Sequence, residues 1–293
     1  MSLLNPEQDV QRLSRGARYR RMAARNPLLI AGGVVLVLIV LLTTFAPWIS
    51  PADPTALDLT NRLQAPNADN WFGTDVLGRD IFSQVLHGGR LSLIVGFMAV
   101  FIAMLIGIPI GLVAGYFGGR VDAIMMRVSD VFLAFPPLLL PIAITAALGA
   151  GLLNTMLAIG ISWFPWYARI VRASVISVKS ELYVTAARAM GVSHTKVMLR
   201  HALPNASTPV MVQGSMDFGY TILAAASLSF IGLGARPPAI EWGLMVASSR
   251  ALFLDYWWTA AFPGLAIFIT VLAVNLFGDG LRDALDPKFR GRV

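Results

Sequence analysis

The chain has 293 residues, of which 56% are hydrophobic and 13% are charged, and it contains no cysteine. Since an ordinary globular domain carries about 25% charged residues, this composition excludes a soluble enzyme. The missing cysteines exclude disulfide scaffolds, thiol nucleophiles and thiolate-bound metals, and the net charge of +7 would favour nucleic-acid binding only if the cations clustered on one surface.

Long uncharged segments predict six membrane-spanning helices, because a bilayer core of about 30 Å requires about 20 consecutive apolar helical residues. The uncharged stretch 131–168 is too long for one span, and Gly149-Ala150-Gly151 in its middle predicts a tight turn between two helices. The predicted fold class is therefore an all-α integral membrane protein, with a transmembrane domain over 28–278. Its predicted spans are 28–49, 91–115, 131–149, 152–168, 209–232 and 257–278.

Lysine and arginine predict the orientation of these spans, since cytoplasmic loops carry the cationic excess. If the N-terminus is cytoplasmic, 18 of the 23 cationic residues fall in cytoplasmic segments and 5 in outer loops. The positive charge then follows from membrane topology, with both termini cytoplasmic, and requires no nucleic-acid surface.

The segments outside the spans differ in composition. The N-terminal arm is rich in arginine and is expected to lie against anionic lipid headgroups, with a partner subunit as the alternative contact. These segments are the arm 1–27, the outer loops 50–90 and 233–256, the cytoplasmic loop 169–208 and the cytoplasmic tail 279–293. In the first outer loop, helical spacing of apolar residues from Ile81 predicts a short interfacial helix that Gly88-Gly89 terminates.

The loop between the fourth and fifth spans has the pattern of a helix, a turn and a second helix. The stretch 184–190 contains good helix formers, and Gly191 suits a position with positive φ after a helix. Ser193 is a candidate N-cap for a second helix over 194–202, which Pro204 is expected to end.

This helical pair has two interpretations. Ala187, Gly191 and Val197 have the small–Gly–apolar spacing of a DNA-binding helix-turn-helix, but any two-helix turn needs those residue types. Because the pair is tethered closely to a span on either side, entry into a major groove is not favoured, and no nucleic-acid partner is expected. The other interpretation is mechanical: a compact projection beneath the membrane that fits a groove on a soluble motor subunit.

The sequence contains no catalytic or metal-binding constellation. Its three histidines, His87, His194 and His201, fall on opposite sides of the predicted membrane, and no HExxH motif is present. Lys179-Ser180 lacks the glycines of a phosphate-binding loop. No cofactor is therefore expected on this chain, and if nucleotide hydrolysis powers the system, ATP and magnesium must be bound by another subunit.

The helical pair resembles the cytoplasmic signature of permease subunits of ABC importers, which reads Glu-Ala-Ala, then Gly four residues on, then Ile-x-Leu-Pro. The corresponding residues are Thr185-Ala186-Ala187, Gly191 and His201-Ala202-Leu203-Pro204, with Thr185 and His201 departing from the pattern.

Further motifs extend the resemblance over about residues 26–288, to the dipeptide/oligopeptide/nickel permease family and, within it, to the C-type (DppC/OppC) subunits. These motifs are WFGTD with GRD (71–80), RLSL (90–93), AGYFGG (114–119), LSFIGLG (228–234), PP with EWG (237–243) and GDGLRD with DP (278–287).

The resemblance implies a type I ABC importer permease fold in a bacterial inner membrane. It implies a second homologous permease subunit, two ATP-binding subunits below the membrane and an extracytoplasmic solute-binding protein, with transport by alternating access. It also implies that the helical pair couples to an ATPase through Thr185, Ala186, Ala187, Gly191, Ser193, His194, Val197, Leu203 and Pro204.

Asp217 is the one charged residue inside a predicted span, where a charge costs a few kcal/mol unless it faces water or a partner. One interpretation is a carboxylate on the substrate pathway, and the other is a structural pairing with an arginine or a hydroxyl.

The function expected from the sequence is a permease subunit for di- and oligopeptides or related small solutes. The alternatives are import of nickel complexes or of sugar- or amino-acid-derived solutes by the same architecture, and a self-sufficient secondary transporter. The last would call for inverted repeats and a midplane ion site, neither of which is evident in the sequence.

Overall fold

The computed structural model describes residues 27–285, and within them the regular structure is helical apart from one isolated bridge between Thr74 and Asp80. Most of the predicted basic arm and residues 286–293 of the predicted tail lie outside this range. The helices are α1 (Pro27–Thr44), α2 (Ala46–Ile49), α3 (Ile81–Phe117), α4 (Gly119–Leu133), α5 (Leu139–Leu148), α6 (Leu152–Lys179), α7 (Leu182–Ala189), α8 (His194–Val197), α9 (Leu203–Phe230), α10 (Trp242–Ser249) and α11 (Trp258–Leu285).

Three of the described helices, α1, α3 and α11, are long and apolar enough to cross a membrane. They correspond to the first, second and sixth predicted spans, although the first helix ends at Thr44 and the remainder of that predicted span falls on α2. The other three predicted spans fall on α4 with α5, on α6 and on α9. Both α6 and α9 are less apolar. Helix α6 ends with Arg169, Arg172 and Lys179, and α9 contains Asp217 together with several serine, threonine, asparagine and glutamine residues.

The predicted helix stop at Gly88-Gly89 is wrong, because α3 runs through both glycines without a break. A Cβ atom on Gly89 would collide with the side chains of Thr43 and Trp242, and one on Gly88 would lie 3.3 Å from Ile240. These glycines therefore allow close packing against neighbouring segments. They do not end the helix.

The helices at the third and fourth predicted spans also begin and end at residues that differ from the predicted boundaries. The chain leaves the helix after Leu133 and resumes it at Leu139, because Pro136 and Pro137 interrupt the segment. The predicted turn is confirmed, since Gly149 and Gly151 both have positive φ between α5 and α6. The helix that follows continues to Lys179 and carries its charged last turns beyond the predicted end at residue 168.

The packing of α3 against α6 forms the centre of the molecule. Gly107, Gly111 and Gly115 follow one another at four-residue intervals and face backbone carbonyls of α6. A Cβ atom would lie 2.5 Å from the Phe164 carbonyl oxygen at Gly107 and 2.8 Å from the Arg172 carbonyl oxygen at Gly115. Small residues at this spacing allow two helix backbones to approach closely. Helix α9 packs on α3, α6 and α11, and α1 packs along α11.

The loop of residues 50–80, which precedes α3, is closed by hydrogen bonds. The Thr74 hydroxyl donates to the Asn61 carbonyl at 2.5 Å and accepts the Gln64 N–H at 2.9 Å. The indole Nε1 of Trp258 donates to the Thr74 carbonyl at 3.3 Å, which attaches the loop to the start of α11.

A buried carboxylate attaches α10 to α3. Glu241 is the N-cap of α10, and its carboxylate accepts the N–H groups of Gly243 and Leu244 at 2.8 and 2.9 Å. It also accepts the hydroxyl of Ser92, on α3, at 3.0 Å. The cap satisfies backbone donors that the first turn of a helix otherwise leaves unpaired.

Candidate functional site

The helical pair that the sequence predicts over 184–202 is present within residues 180–204, and the structure places it at the C-terminal end of α3. Gly191 follows α7 with a φ of +81°, and Ser193 stands in extended conformation immediately before α8. The Val192 N–H donates to the Ala187 carbonyl at 3.1 Å and closes the turn. The predicted turn glycine and the predicted N-cap position are both confirmed, although the Ser193 side chain makes no capping hydrogen bond.

The predicted end of the second helix at Pro204 is wrong. A π turn over Met198–Ala202 joins α8 directly to α9, and Pro204 occupies the first turn of α9. Proline is tolerated there because residues in a first helical turn do not need an N–H partner within the helix. The helical pair is therefore continuous with α9.

One face of the helical pair is built into the protein core. Val184, Ala187 and Val197 are buried, and Val184 and Val197 belong to the same hydrophobic cluster as Val171 and Val175 of α6. Buried aliphatic contacts of this kind supply most of the free energy that holds a short helix in place. The pair is thus a fixed part of the helical bundle.

A polar contact fixes the pair to the end of α3. The Tyr116 hydroxyl and His194 Nδ1 are joined by a hydrogen bond of 2.7 Å, and the two rings meet edge to face. The Lys179 ammonium donates to the Tyr116 carbonyl at 2.5 Å. We call these three residues the Tyr116 junction. It brings together the last residues of α3, the end of α6 and the first residue of α8.

The opposite face of the helical pair presents apolar side chains that nothing in the described part of the chain covers. Leu182 is 86% exposed and Met190 is 77% exposed, and Tyr183 and Leu199 are also open. Exposed apolar side chains grouped on one surface are typical of protein–protein interfaces.

The predicted coupling residues divide between these two faces. Ala187 and Val197 are buried and position the pair, while Leu203 is half-buried at the start of α9. A shallow depression is lined by Thr185, Gly191, Ser193 and His194 together with Arg188, Ala189 and Val192. Ala186 and Pro204 are exposed.

The sequence analysis did not predict the Tyr116 junction or two ion pairs between α4 and α6. Asp122 and Asp130 of α4 bind Arg172 and Arg169 of α6, the second pair at 2.6 Å. Tyr116 lies within the AGYFGG motif, and this motif was the only feature of the sequence that pointed to the junction.

Asp217 is held by two side chains. The Tyr167 hydroxyl of α6 donates to one carboxylate oxygen at 2.6 Å, and the Gln213 amide of α9 donates to the other at 2.9 Å. Tyr167 is fully buried. The hydroxyl partner expected under the structural interpretation is therefore present, and it links α6 to α9.

The fold is one found in ABC transporters. A chain of the MetNI methionine ABC transporter, in an inward-facing conformation, matches 70% of this chain and 98% of its own length with a TM-score of 0.57 and 16% identity. A chain of an amino acid ABC transporter with histidines covers 73% of this chain and 95% of its own length, with a TM-score of 0.52 and 18% identity.

Comparison of the amino-acid sequence with known protein families identifies the family of this chain. Residues 107–291 match the family described as binding-protein-dependent transport system inner membrane component, and residues 14–66 match the N-terminal transmembrane domain of oligopeptide transport permease C. The chain belongs to this family of permeases. It is the inner-membrane component of an ABC transport system and not its ATPase, and such a system includes an ATPase and a solute-binding protein.

Three curated relatives cover nearly the whole chain. A probable D,D-dipeptide transport system permease (DdpC) of Escherichia coli K12 is 48% identical over 94% of this chain and 93% of its own length. A dipeptide permease (DppC) of Alkalihalophilus pseudofirmus is 43% identical over 97% of this chain and 94% of its own length. A glutathione permease (GsiD) of Escherichia coli O6:K15:H31 is 44% identical over 93% and 90%.

Proposed function

We propose that this chain is one of two related permease subunits that together import short peptides. The relatives with the names dipeptide, D,D-dipeptide and glutathione permease support this cargo class, because all three solutes are peptides of two or three residues. Import of nickel complexes by the same architecture is the alternative, and an uptake assay with reconstituted transporter separates the two. The assay compares di- and oligopeptides with nickel chelates.

In the proposed topology the chain crosses the membrane six times, with both termini in the cytoplasm. The crossing segments are α1, α3, α4 with α5, α6, α9 and α11. At 1.5 Å per residue, the 28 residues of α6 and of α9 extend about 42 Å, which exceeds the bilayer core. The excess of lysine and arginine in alternate connections supports the orientation.

The topology can be tested directly because the natural chain contains no cysteine. Met190 and Leu254 are both highly exposed, so a single cysteine introduced at either position is accessible to a reagent. A membrane-impermeant maleimide added to intact cells should label Leu254→Cys and spare Met190→Cys. Labelling of Met190→Cys from outside would contradict the orientation and the coupling role together.

We further propose that the helical pair transmits the motion of an ATPase, which binds ATP and magnesium, to the spans. The observation that supports this most strongly is the combination of an uncovered apolar face with a buried face that is built into the core. A force applied to Leu182 or Met190 therefore reaches α3, α6 and α9 through packed contacts. Packed interfaces switch between discrete arrangements, as alternating access requires.

Co-purification with the ATPase subunits tests the coupling proposal. Gly191→Val places a β-branched side chain at a φ of +81° and should release the ATPase while the permease stays folded. Gly264→Val serves as the control, since Gly264 lies in α11 with no atom within 4 Å of an added Cβ. Solute uptake by the purified chain without an ATPase would contradict the proposal and favour a secondary transporter.

For Asp217, the substrate-pathway role stays a prediction beside the structural one. Asp217→Asn keeps an oxygen that can accept the Tyr167 hydroxyl and removes the charge. If the carboxylate attracts cargo, uptake should fall while assembly with the partner subunits is unchanged. Unchanged uptake would leave the hydrogen bond between α6 and α9 as the whole role of this residue.

A further inference from the structure

A cavity of about 260 Å³ lies at the other end of α3 from the helical pair, between the 50–80 loop and the segment that contains α10. Its lining residues belong to two stretches, 75–84 and 237–259. None of them comes from α6 or α9, where the long helices meet. The cavity is therefore formed by the connecting segments together with the first turns of α3 and α11, and it is separate from the centre of the bundle.

The first wall of the cavity is a preformed turn. The Asp75 carboxylate accepts the N–H groups of Leu77 and Arg79 at 2.8 and 3.0 Å and the side-chain amide of Gln84 at 3.1 Å. The Arg62 guanidinium donates to the Val76 carbonyl at 2.6 Å. These bonds fix the turn against the start of α3, so little conformational entropy is lost when a partner binds.

The second wall is held by α10. The buried cap formed by Glu241 and Ser92 attaches this helix to α3, and the Trp242 indole donates to the Val85 carbonyl at 2.8 Å. Leu244 and Met245 face the cavity from the same helix. Both walls are thus anchored to one helix, and the cavity has a defined width.

The lining combines an apolar surface with one arginine that has free donors. Ten of the sixteen lining residues are apolar. Arg79 has a side chain that is 26% exposed, and its Nε donates to Asp75 at 2.7 Å. Within residues 27–285 its two terminal nitrogens have no hydrogen-bond partner. A guanidinium that lines an apolar cavity and retains free donors is matched to a carboxylate, which it binds through two parallel bonds.

We propose that this cavity is the docking site for an acidic residue beside an apolar residue on the surface of the solute-binding protein. In this arrangement the carboxylate binds the terminal nitrogens of Arg79, and the apolar side chain lies against Val76, Leu244 and Met245. The inference rests on the proposed function, because it requires this end of α3 to face the compartment of the binding protein.

The surroundings of the cavity favour an anionic partner over a neutral one. Arg236 and Arg250 are exposed and adjacent in sequence to the lining residues Pro237 and Ser249. Of the carboxylates near the cavity, Asp75 is paired with Arg79 and Asp58 accepts hydrogen bonds from Thr60 and Asn61, which leaves the exposed Asp255 against the two exposed arginines. Charge complementarity at such a rim increases the association rate.

Binding of the cargo-loaded cognate solute-binding protein to the complete transporter in lipid nanodiscs tests the proposal. Arg79→Lys keeps the positive charge and a partner for Asp75 but removes the two-pronged donor, and the dissociation constant should rise on the order of tenfold. Ser248→Trp fills the mouth of the cavity from an exposed position and should weaken binding to a similar extent. Arg120→Lys, an exposed arginine at the opposite end of α3, is the matched control and should bind normally.

Unchanged affinity in both Arg79→Lys and Ser248→Trp would overturn the proposal. It would also be overturned if the transported peptide bound the transporter without the binding protein and Arg79→Lys abolished that binding, since the cavity would then be a cargo site. These results are distinct from a failure of the proposed function, because peptide uptake and ATPase co-purification of the unmodified transporter are measured independently.

Discussion

The two ends of helix α3 are built on opposite principles. At its N-terminal end, the 50–80 loop pairs its polar groups within itself and attaches to α11 through Trp258. At its C-terminal end, the helical pair of residues 180–204 buries one face and leaves Leu182 and Met190 on the other face uncovered. At 1.5 Å per residue, the 37 residues of α3 separate the two ends by about 55 Å.

The 50–80 loop satisfies its polar groups by internal hydrogen bonds, whereas the helical pair has apolar side chains that only a partner molecule would bury. Internal hydrogen bonds in the 50–80 loop define a rigid surface with a preformed cavity. The uncovered leucine and methionine of the helical pair are instead suited to burial against a partner. Substitutions with the same chemistry should therefore have different consequences at the two ends.

The largest difference is expected for two glycines with nearly equal backbone angles. Gly78 has a φ of +74° and Gly191 a φ of +81°. A Cβ atom on Gly78 would overlap the Asp58 carbonyl, while nothing lies within 4 Å of one on Gly191. Gly78→Ala should abolish folding of the loop, and Gly191→Ala should cost only the strain of about 1–2 kcal/mol. Yield in the membrane fraction and thermal unfolding in detergent measure both effects, and equal unfolding midpoints would refute the contrast.

A charge introduced on each exposed surface should sharpen the comparison. Leu182 is 86% exposed on the helical pair, and Leu254 is 94% exposed near the opposite end of α3. Leu182→Asp should reduce ATPase co-purification by about tenfold or more, as expected for the centre of an interface, with no change in thermal stability. Leu254→Asp is the matched control and should retain the ATPase. Equal retention by both variants would mean that the apolar face is not the binding surface.

A smaller effect is expected when the Tyr116 junction is weakened. Tyr116→Phe removes the hydroxyl that binds His194 and keeps the buried ring, so the loss is about 0.5–1.5 kcal/mol. If the junction positions the helical pair, more ATP should be hydrolysed for each solute imported while ATPase binding is unchanged. Tyr183→Phe removes an exposed hydroxyl bonded to Asn205 and should leave that ratio unaltered. A purely structural role would lower the unfolding temperature without changing the ratio.

The smallest effect concerns acid sensitivity of the 50–80 loop. Hydrogen bonds from the side chains of Thr60 and Asn61 lower the pKa of Asp58. The carboxylate therefore stabilises the fold above its ordinary pKa, and this contribution disappears as the pH falls through the lowered value. Asp58→Asn should reduce the unfolding temperature at about pH 6 and have less effect near about pH 3.5. A constant difference between the two proteins would contradict this assignment.

The sequence predicted local features more accurately than contacts between distant segments. Composition predicts an all-helical membrane protein, and local residue types place Gly191 and Ser193 in the correct turn because their conformations depend on neighbouring residues. Gly88-Gly89 was assigned to a helix end, because packing against Thr43 and Trp242 is not visible in a local pattern.

The same limit applies to the candidate site. The two helices and their glycine turn follow from local residue types, but the bond between Tyr116 and His194 joins residues that are 78 positions apart. The Tyr167 partner of Asp217 is 50 positions away. A hydroxyl partner for Asp217 was anticipated as a chemical type, yet its identity depends on the register between α6 and α9, which one sequence does not define.

The close approach of α3 and α6 has a consequence for the working cycle. At Gly107, Gly111 and Gly115 the backbones of α3 and α6 are in close contact. Sliding would bring larger side chains into this contact, and separation would open voids between the two helices. Helices α3 and α6 should therefore move together as a rigid unit during transport, and the other helices should rearrange around them. Spin labels on α3 and α6 would then report the same separation in every state of the transporter, and labels on α3 and α11 would record the opening and closing.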